Sequence, residues 1–222
     1  MKNVSIVGNL KSFKNEFEAK DWLEVFKKIN QSDFDLTKKD VIVCPAFTQL
    51  LSFSSYFSSN NINARLGAQN VSPFDEGPFT GEVNAKQLKD FITYVLIGHS
   101  ERRENFGETE DMLAKKVAMV LKYGLIPIFL VQGKDNIIPQ GVSIVAYEPV
   151  FAIGTGNPDT PESADALAKE IKATRSNLQV LYGGSVKSTN VKDFTQKTNI
   201  DGVLVGGASL EAEEFLKIIK NA

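Results

Sequence analysis

The run Val145-Ala146-Tyr147-Glu148-Pro149-Val150-Phe151-Ala152-Ile153-Gly154-Thr155-Gly156 carries an apolar stretch up to a carboxylate. A proline follows, then a short apolar segment, then a Gly-Thr-Gly turn. A carboxylate at a strand end can accept a proton in a partly dry site. The segment beyond it suits a movable cover that excludes water meanwhile. Other reactive groups follow apolar runs in the same way. Gly8-Asn9-Leu10-Lys11 ends one, and Ile97-Gly98-His99-Ser100-Glu101-Arg102-Arg103 ends another. Tyr182-Gly183-Gly184-Ser185-Val186 and Gly206-Gly207-Ala208-Ser209 end two more. His99 is the only histidine. Its position before Ser100-Glu101 suits a helix N-terminus, where the dipole disfavours imidazolium. The glycine pairs let backbone N–H groups come close to an anion. Together these residues make a base, an imidazole, a cation and two glycine-rich turns, a set fit for an anionic carbonyl compound.

Such residues need a scaffold that gathers strand ends. Short apolar runs alternate with amphipathic stretches. The runs predict strands over Val4–Gly8, Val41–Cys44, Ala64–Ala68, Tyr94–Gly98, Ile126–Val131, Ser143–Ala146, Val180–Tyr182 and Gly202–Val205. Runs this short and apolar suit strands buried on both faces of a parallel sheet. Helices are predicted over Glu16–Asn30, Thr48–Ser58, Asn84–Phe91, Met112–Tyr123, Pro161–Ser176, Thr189–Gln196 and Glu211–Lys220. Phe17, Trp22, Leu23, Phe26 and Ile29 form the expected sheet-covering stripe of the first. Eight strands in near-complete alternation favour an α/β fold, a (β/α)8 barrel forming one domain over residues 1–222. An open doubly wound sheet is the alternative that periodicity leaves standing. Only residues 132–142 separate the fifth and sixth strands, whereas a parallel crossover takes about a dozen residues or more. The fifth helix is therefore expected to be shortened or missing, with that side thinly covered.

Composition removes whole classes of function. A net charge of -2 gives no footprint for nucleic acid or an anionic membrane. One cysteine, Cys44, allows no intrachain disulfide and no cysteine-rich metal site, and it fits a reducing compartment. The N-terminus becomes strand-like too early for a signal peptide, and no apolar run reaches the roughly 18 residues of a membrane span. The expectation is a cytoplasmic protein.

Five segments carry a resemblance: Asn9–Lys11, Gly98–Arg103, Ala146–Gly156, Tyr182–Val186 and Asp201–Leu210. In sequence and order they closely resemble the triosephosphate isomerase family, a family of TIM barrels. The resemblance implies interconversion of dihydroxyacetone phosphate and glyceraldehyde 3-phosphate through an enediolate, with no metal or organic cofactor. It implies Glu148 as base, neutral His99 as hydrogen-bond donor to the substrate oxygens and Lys11 as fixed positive charge. Asn9 joins Lys11 in the substrate site, while Glu101 and Ser100 support the first three. Gly154, Ser185, Gly206 and Gly207 hold the phosphate, Gly154 from the lid. Residues 69–82 resemble the loop by which relatives enter a partner subunit, so a homodimer is expected.

The chain also departs from the family pattern. Leu10 and Phe151 stand where tryptophans are usual, and Asn157-Pro158-Asp159 changes one end of the lid. Pro158 fixes one dihedral and restricts Asn157. Two other readings compete, a phosphosugar aldolase or similar barrel enzyme and a non-catalytic binding protein. The first needs a lysine inside the barrel, which no strand candidate supplies. The second would be marked by loss of Lys11, His99 or Glu148, and all three are present.

Overall fold

A computed structural model describes residues 3–31, 34–149, 159–175 and 177–222. Gly154, Phe151, Asn157 and Pro158 lie outside them. The eight strands are β1 (Val4–Asn9), β2 (Lys39–Cys44), β3 (Arg65–Ala68), β4 (Tyr94–Ile97), β5 (Ile126–Val131), β6 (Ile144–Tyr147), β7 (Gln179–Tyr182) and β8 (Gly202–Val205). Each pairs in parallel with the next, and β1 pairs with β8 through Ser5↔Gly202 to Gly8↔Val205. The sheet is thus a closed barrel, and the open-sheet alternative falls.

Side chains alternate as the pleat requires. In β5, Ile128 and Leu130 fill the barrel interior, whereas Phe129 and Val131 join the outer core beneath the helices. That outer layer is built by α1 (Glu16–Phe26), α2 (Leu50–Ser59), α3 (Ala85–Leu88), α4 (Ser100–Phe106), α5 (Glu110–Lys122), α6 (Pro161–Thr174), α7 (Val191–Thr195) and α8 (Ala212–Asn221). None of the described helices is long and apolar enough to cross a membrane.

Helix α1 begins where Asn15 and Glu18 form a reciprocal cap. The Glu18 N–H donates to Asn15 Oδ1 at 3.1 Å, and the Asn15 N–H donates to Glu18 Oε2 at 2.7 Å. Its buried stripe is Ala19, Trp22, Leu23 and Phe26, continued by Ile29 on the following 3-10 turn. Phe17 does not share it and is 79% exposed. The physical reason is phase, because Phe17 lies two helical steps before Ala19, which turns it by about 200° to the opposite face. Helix α4 is missing from the helices that periodicity predicts but starts right after His99, where the sequence suits a helix N-terminus, and the eight-residue reading of α3 contracts to the single turn Ala85–Leu88.

No helix lies between β5 and β6, where every residue is described. The connection folds as a strap instead. Asn136 Oδ1 accepts from the N–H groups of Gln132 (2.8 Å) and Gly133 (3.1 Å). Arg175, at the end of α6, donates to the carbonyls of Ile138 (2.9 Å), Pro139 (2.9 Å) and Val142 (3.2 Å). The expected thin cover is only partly found. Ile137 is exposed, yet Phe129 and Val131 stay fully buried, because Ile138 and Val142 pack on the outer core in place of a helix.

Candidate active site

The C-terminal strand ends surround a cavity of about 620 Å³, within the range of small-molecule sites. Asn9, Lys11, His99, Glu148, Ser185, Gly206 and Gly207 all line it.

Lys11 follows β1 with φ of +51°, a left-handed conformation that costs a non-glycine residue energy. Two bonds hold it there. Its N–H donates to Asn9 Oδ1 at 3.0 Å, and its carbonyl accepts from Gln69 Nε2 at 2.8 Å. Gln69 Nε2 also donates to the Cys44 carbonyl at 2.9 Å, so one amide clamps the ends of two strands. The ammonium reaches Glu101 Oε1 at 2.5 Å. A Cβ on residue 206 would sit 3.2 Å from Lys11 Cε, so Gly206 leaves the lysine its path. Ser209 Oγ donates to the carbonyls of Asn9 (3.1 Å) and Gly206 (2.7 Å), joining β1 to the turn after β8.

His99 caps α4 from the end of β4. Gly98 makes the turn with φ of +80°, where a side chain would be strained, and its carbonyl accepts from Arg103 Nε at 2.8 Å. His99 Nδ1 accepts the Glu101 N–H at 3.2 Å. The proton of the neutral ring therefore belongs on Nε2, which lies 3.2 Å from Glu148 Oε1. Burial chiefly lowers the His99 pKa, to about 4, helped by the charges of Lys11 and Arg102 against the pull of Glu101. The imidazole is neutral at pH 7.

Glu148 follows β6 and is 2% exposed. Its N–H donates to the Val131 carbonyl at 2.8 Å, and its Oε2 accepts the Ser100 N–H at 3.0 Å. Burial raises its pKa to about 7, against the opposing pull of the Ser100 hydrogen bonds and the Lys11 charge. A base poised near neutrality beside a neutral imidazole and a paired ammonium suits proton abstraction next to a carbonyl.

The model of the family described as Triosephosphate isomerase matches residues 4–136 and 132–222. The chain belongs to the triosephosphate isomerase family. Similar relatives are named triosephosphate isomerase in Fusobacterium nucleatum (38% identical over 99% of both chains), Mesomycoplasma hyopneumoniae (39% over 98% of both) and Dictyoglomus turgidum (36% over 100% of both). The two matched stretches of the triosephosphate isomerase model meet at 132–136, in the strap. The alignment with the Fusobacterium relative runs over 253 positions, more than the 222 residues here, so that triosephosphate isomerase carries segments this chain lacks.

Of the ten site residues expected from sequence, nine fall among the described residues and Gly154 does not. Lys11, Glu101, His99, Ser100 and Glu148 form one connected chain of contacts. Asn9, Ser185, Gly206 and Gly207 line the same cavity. Arg102 and Arg103 engage Glu108 and Glu110, which leaves Glu101 to Lys11. Sequence reasoning gave Gln69 no role beyond opening a loop. Its signal was its place just past β3, the same kind of strand end that flagged Lys11 and Glu148. A buried ion cluster also went unread. Glu108 pairs with both Arg102 (2.5 Å) and Lys116, and Lys116 Nζ donates to Asn70 Oδ1 at 2.6 Å.

Proposed function

We propose that this chain interconverts dihydroxyacetone phosphate and D-glyceraldehyde 3-phosphate, the isomerisation used in glycolysis and gluconeogenesis, with Glu148, His99 and Lys11 as its catalytic residues. The observation that carries the reading is the Glu148 carboxylate. It is buried, raised to about 7, and lies 3.2 Å from a neutral imidazole nitrogen that bears a proton.

Glu148 takes a proton from the carbon bearing the hydroxyl, and the electron pair moves toward the carbonyl oxygen to form an enediolate. His99 Nε2–H donates to the oxygens where charge develops, and Lys11 adds a positive charge that Glu101 holds in place. His99 Nε2 passes the hydroxyl proton from the first oxygen to the second, and return of the carbon-derived proton from Glu148 to the neighbouring carbon completes the isomerisation and restores the carboxylate. Ser100 fixes the carboxylate through its N–H before substrate arrives. Asn9 fixes the backbone of Lys11. Ser185, Gly206 and Gly207, with Gly154 from the lid segment, receive the phosphate, and their N–H groups suit a dianion. The deciding test is a coupled assay with dihydroxyacetone phosphate on the purified chain. Turnover by the wild type and its loss in Glu148→Gln support the assignment, and a wild type without turnover ends it.

The chain acts as a homodimer through residues 69–82. Phe74 and Phe79 stack at 4.3 Å on that loop yet remain partly exposed, and Phe13 and Phe17 are exposed as well. The loop base is already fastened. The Ser72 N–H donates to the Val83 carbonyl at 2.8 Å, and Tyr123 Oη donates to Asp75 at 2.5 Å. A fixed loop with unburied aromatic rings suits a second copy. Cysteine usage and charge support a cytoplasmic location, which fractionation of the source cells checks.

A further inference from the structure

We propose that Asn190 is a positioning residue that shapes the phosphate-receiving turn at Ser185; the proposal rests on the site reading above. Asn190 stands at the start of α7, where an asparagine ordinarily turns its side chain onto the helix's own N–H groups. Here it makes no such bond. Its Nδ2 donates to the Ser185 carbonyl at 3.1 Å, and its Oδ1 accepts the Lys187 N–H at 2.8 Å. One amide thus spans both ends of the three-residue segment that forms the cavity wall. The backbone completes the clasp, since the Asn190 and Val191 N–H groups donate to the Lys187 carbonyl at 3.2 and 3.0 Å.

The segment just beyond is held too. The Ser188 N–H donates to Glu214 Oε1 at 2.8 Å, and its carbonyl accepts from Asn221 Nδ2 at 2.8 Å. Those two bonds tie the turn to α8, while Asn190 reaches Ser185 itself. The Ser185 carbonyl, drawn toward Asn190, fixes the plane of the peptide that follows. The Val186 N–H of that peptide donates to the Gly184 carbonyl at 2.9 Å and the Lys187 N–H is held by Asn190, so Asn190 sets the shape of the turn around Ser185 before the anion arrives, which lowers the ordering cost of binding. An oriented turn favours the phosphate and leaves the carbon chemistry at Glu148 untouched.

The test compares the wild type with Asn190→Ala and Asn190→Asp. Inorganic phosphate binding is measured by calorimetry, and turnover is measured with glyceraldehyde 3-phosphate and with glyceraldehyde, which lacks the phosphate. Loss of two hydrogen bonds predicts phosphate affinity about tenfold weaker in the alanine variant. The kcat/KM for glyceraldehyde 3-phosphate should fall at least as far, while that for glyceraldehyde stays within about twofold of wild type. Asn190→Asp keeps the acceptor, removes the donor and adds a repelling charge, so it should weaken phosphate further. It also decides the matter if the alanine variant fails to fold. Unchanged phosphate affinity in the alanine variant, or equal losses for both substrates, overturns the proposal. A wild type without isomerase activity would end the functional reading, while the calorimetry would still decide the part played by Asn190.

Discussion

Glu148 and His99 respond to the same burial in opposite senses. The folded chain keeps the Glu148 proton between its ordinary 4.5 and about 7, while the unfolded chain releases it. The folded state binds more protons there, so this group's contribution to stability falls as pH rises through that window. His99 is the reverse. Between about 4 and its ordinary 6.5 the unfolded chain holds a proton that the folded chain refuses, so stability rises with pH there. The two effects oppose each other where the windows overlap. Replacing Glu148 by Gln unmasks one of them. Urea denaturation should find Glu148→Gln more stable than wild type by roughly 2 kcal/mol at pH 8, with the gain shrinking toward pH 4.5. In the active enzyme, the acid limb of kcat/KM should lie near pH 7, where free Glu148 gains its proton, and not near the ordinary glutamate value. A limb at 4.5 would show that the carboxylate is not the base or is not dry. The proposed catalytic positions Glu148, His99 and Lys11 stood out in the sequence because each comes just after an apolar run. Gln69 and Asn190 did not: Gln69 serves the carbonyls of Lys11 and Cys44 far along the chain, Asn190 clasps the backbone of Ser185 and Lys187 just before it, and no residue-type pattern encodes where a backbone group points.

At the scale of elements, the eight strands were legible from short β-branched runs, and the missing helix from the length of residues 132–142. What could not be read was the replacement. The strap holds its shape through Arg175, whose guanidinium serves three carbonyls from the far end of α6. An arginine late in a helix reads as a solvated charge until the carbonyls are in view. Removing it leaves three partly buried acceptors without their donor. Arg175→Ala should cost about 2 kcal/mol in a denaturant titration, and Arg175→Lys should recover little, because an ammonium lacks the planar fork. The site should hold its activity in both variants at low temperature, since the strap contributes no residue to the cavity. The Phe17 error has its own lesson. Hydrophobicity at helical spacing marks a face only when the phase is kept, and one aromatic out of phase on α1 faces solvent.

At the scale of the whole molecule, two of the unburied aromatics, Phe74 and Phe79, stack on each other within residues 69–82. Gln69, at the root of that loop, bonds the carbonyl of Lys11, so the loop and the lysine are mechanically joined. In the proposed dimer, pressure on the loop from a second copy would bear on the geometry of the site. Phe74→Ser combined with Phe79→Ser should yield a slower-sedimenting species in analytical ultracentrifugation, with activity per chain reduced. A wild type that sediments as a monomer at full activity would remove the dimer from the account.

The strap gives the molecule a seam. Lys134 and Ile137 stand out into solvent there, and no helix spans the gap. On either side the barrel is joined through the β5–β6 ladder, and its opposite edge through the β1–β8 ladder. Limited trypsin treatment should cut after Lys134 before the buried strands yield, leaving two fragments that elute together and stay folded. The same gap offers a place for grafted peptide at Ile137, since a sequence inserted there would hang outside the barrel from a strap that lines no part of the cavity.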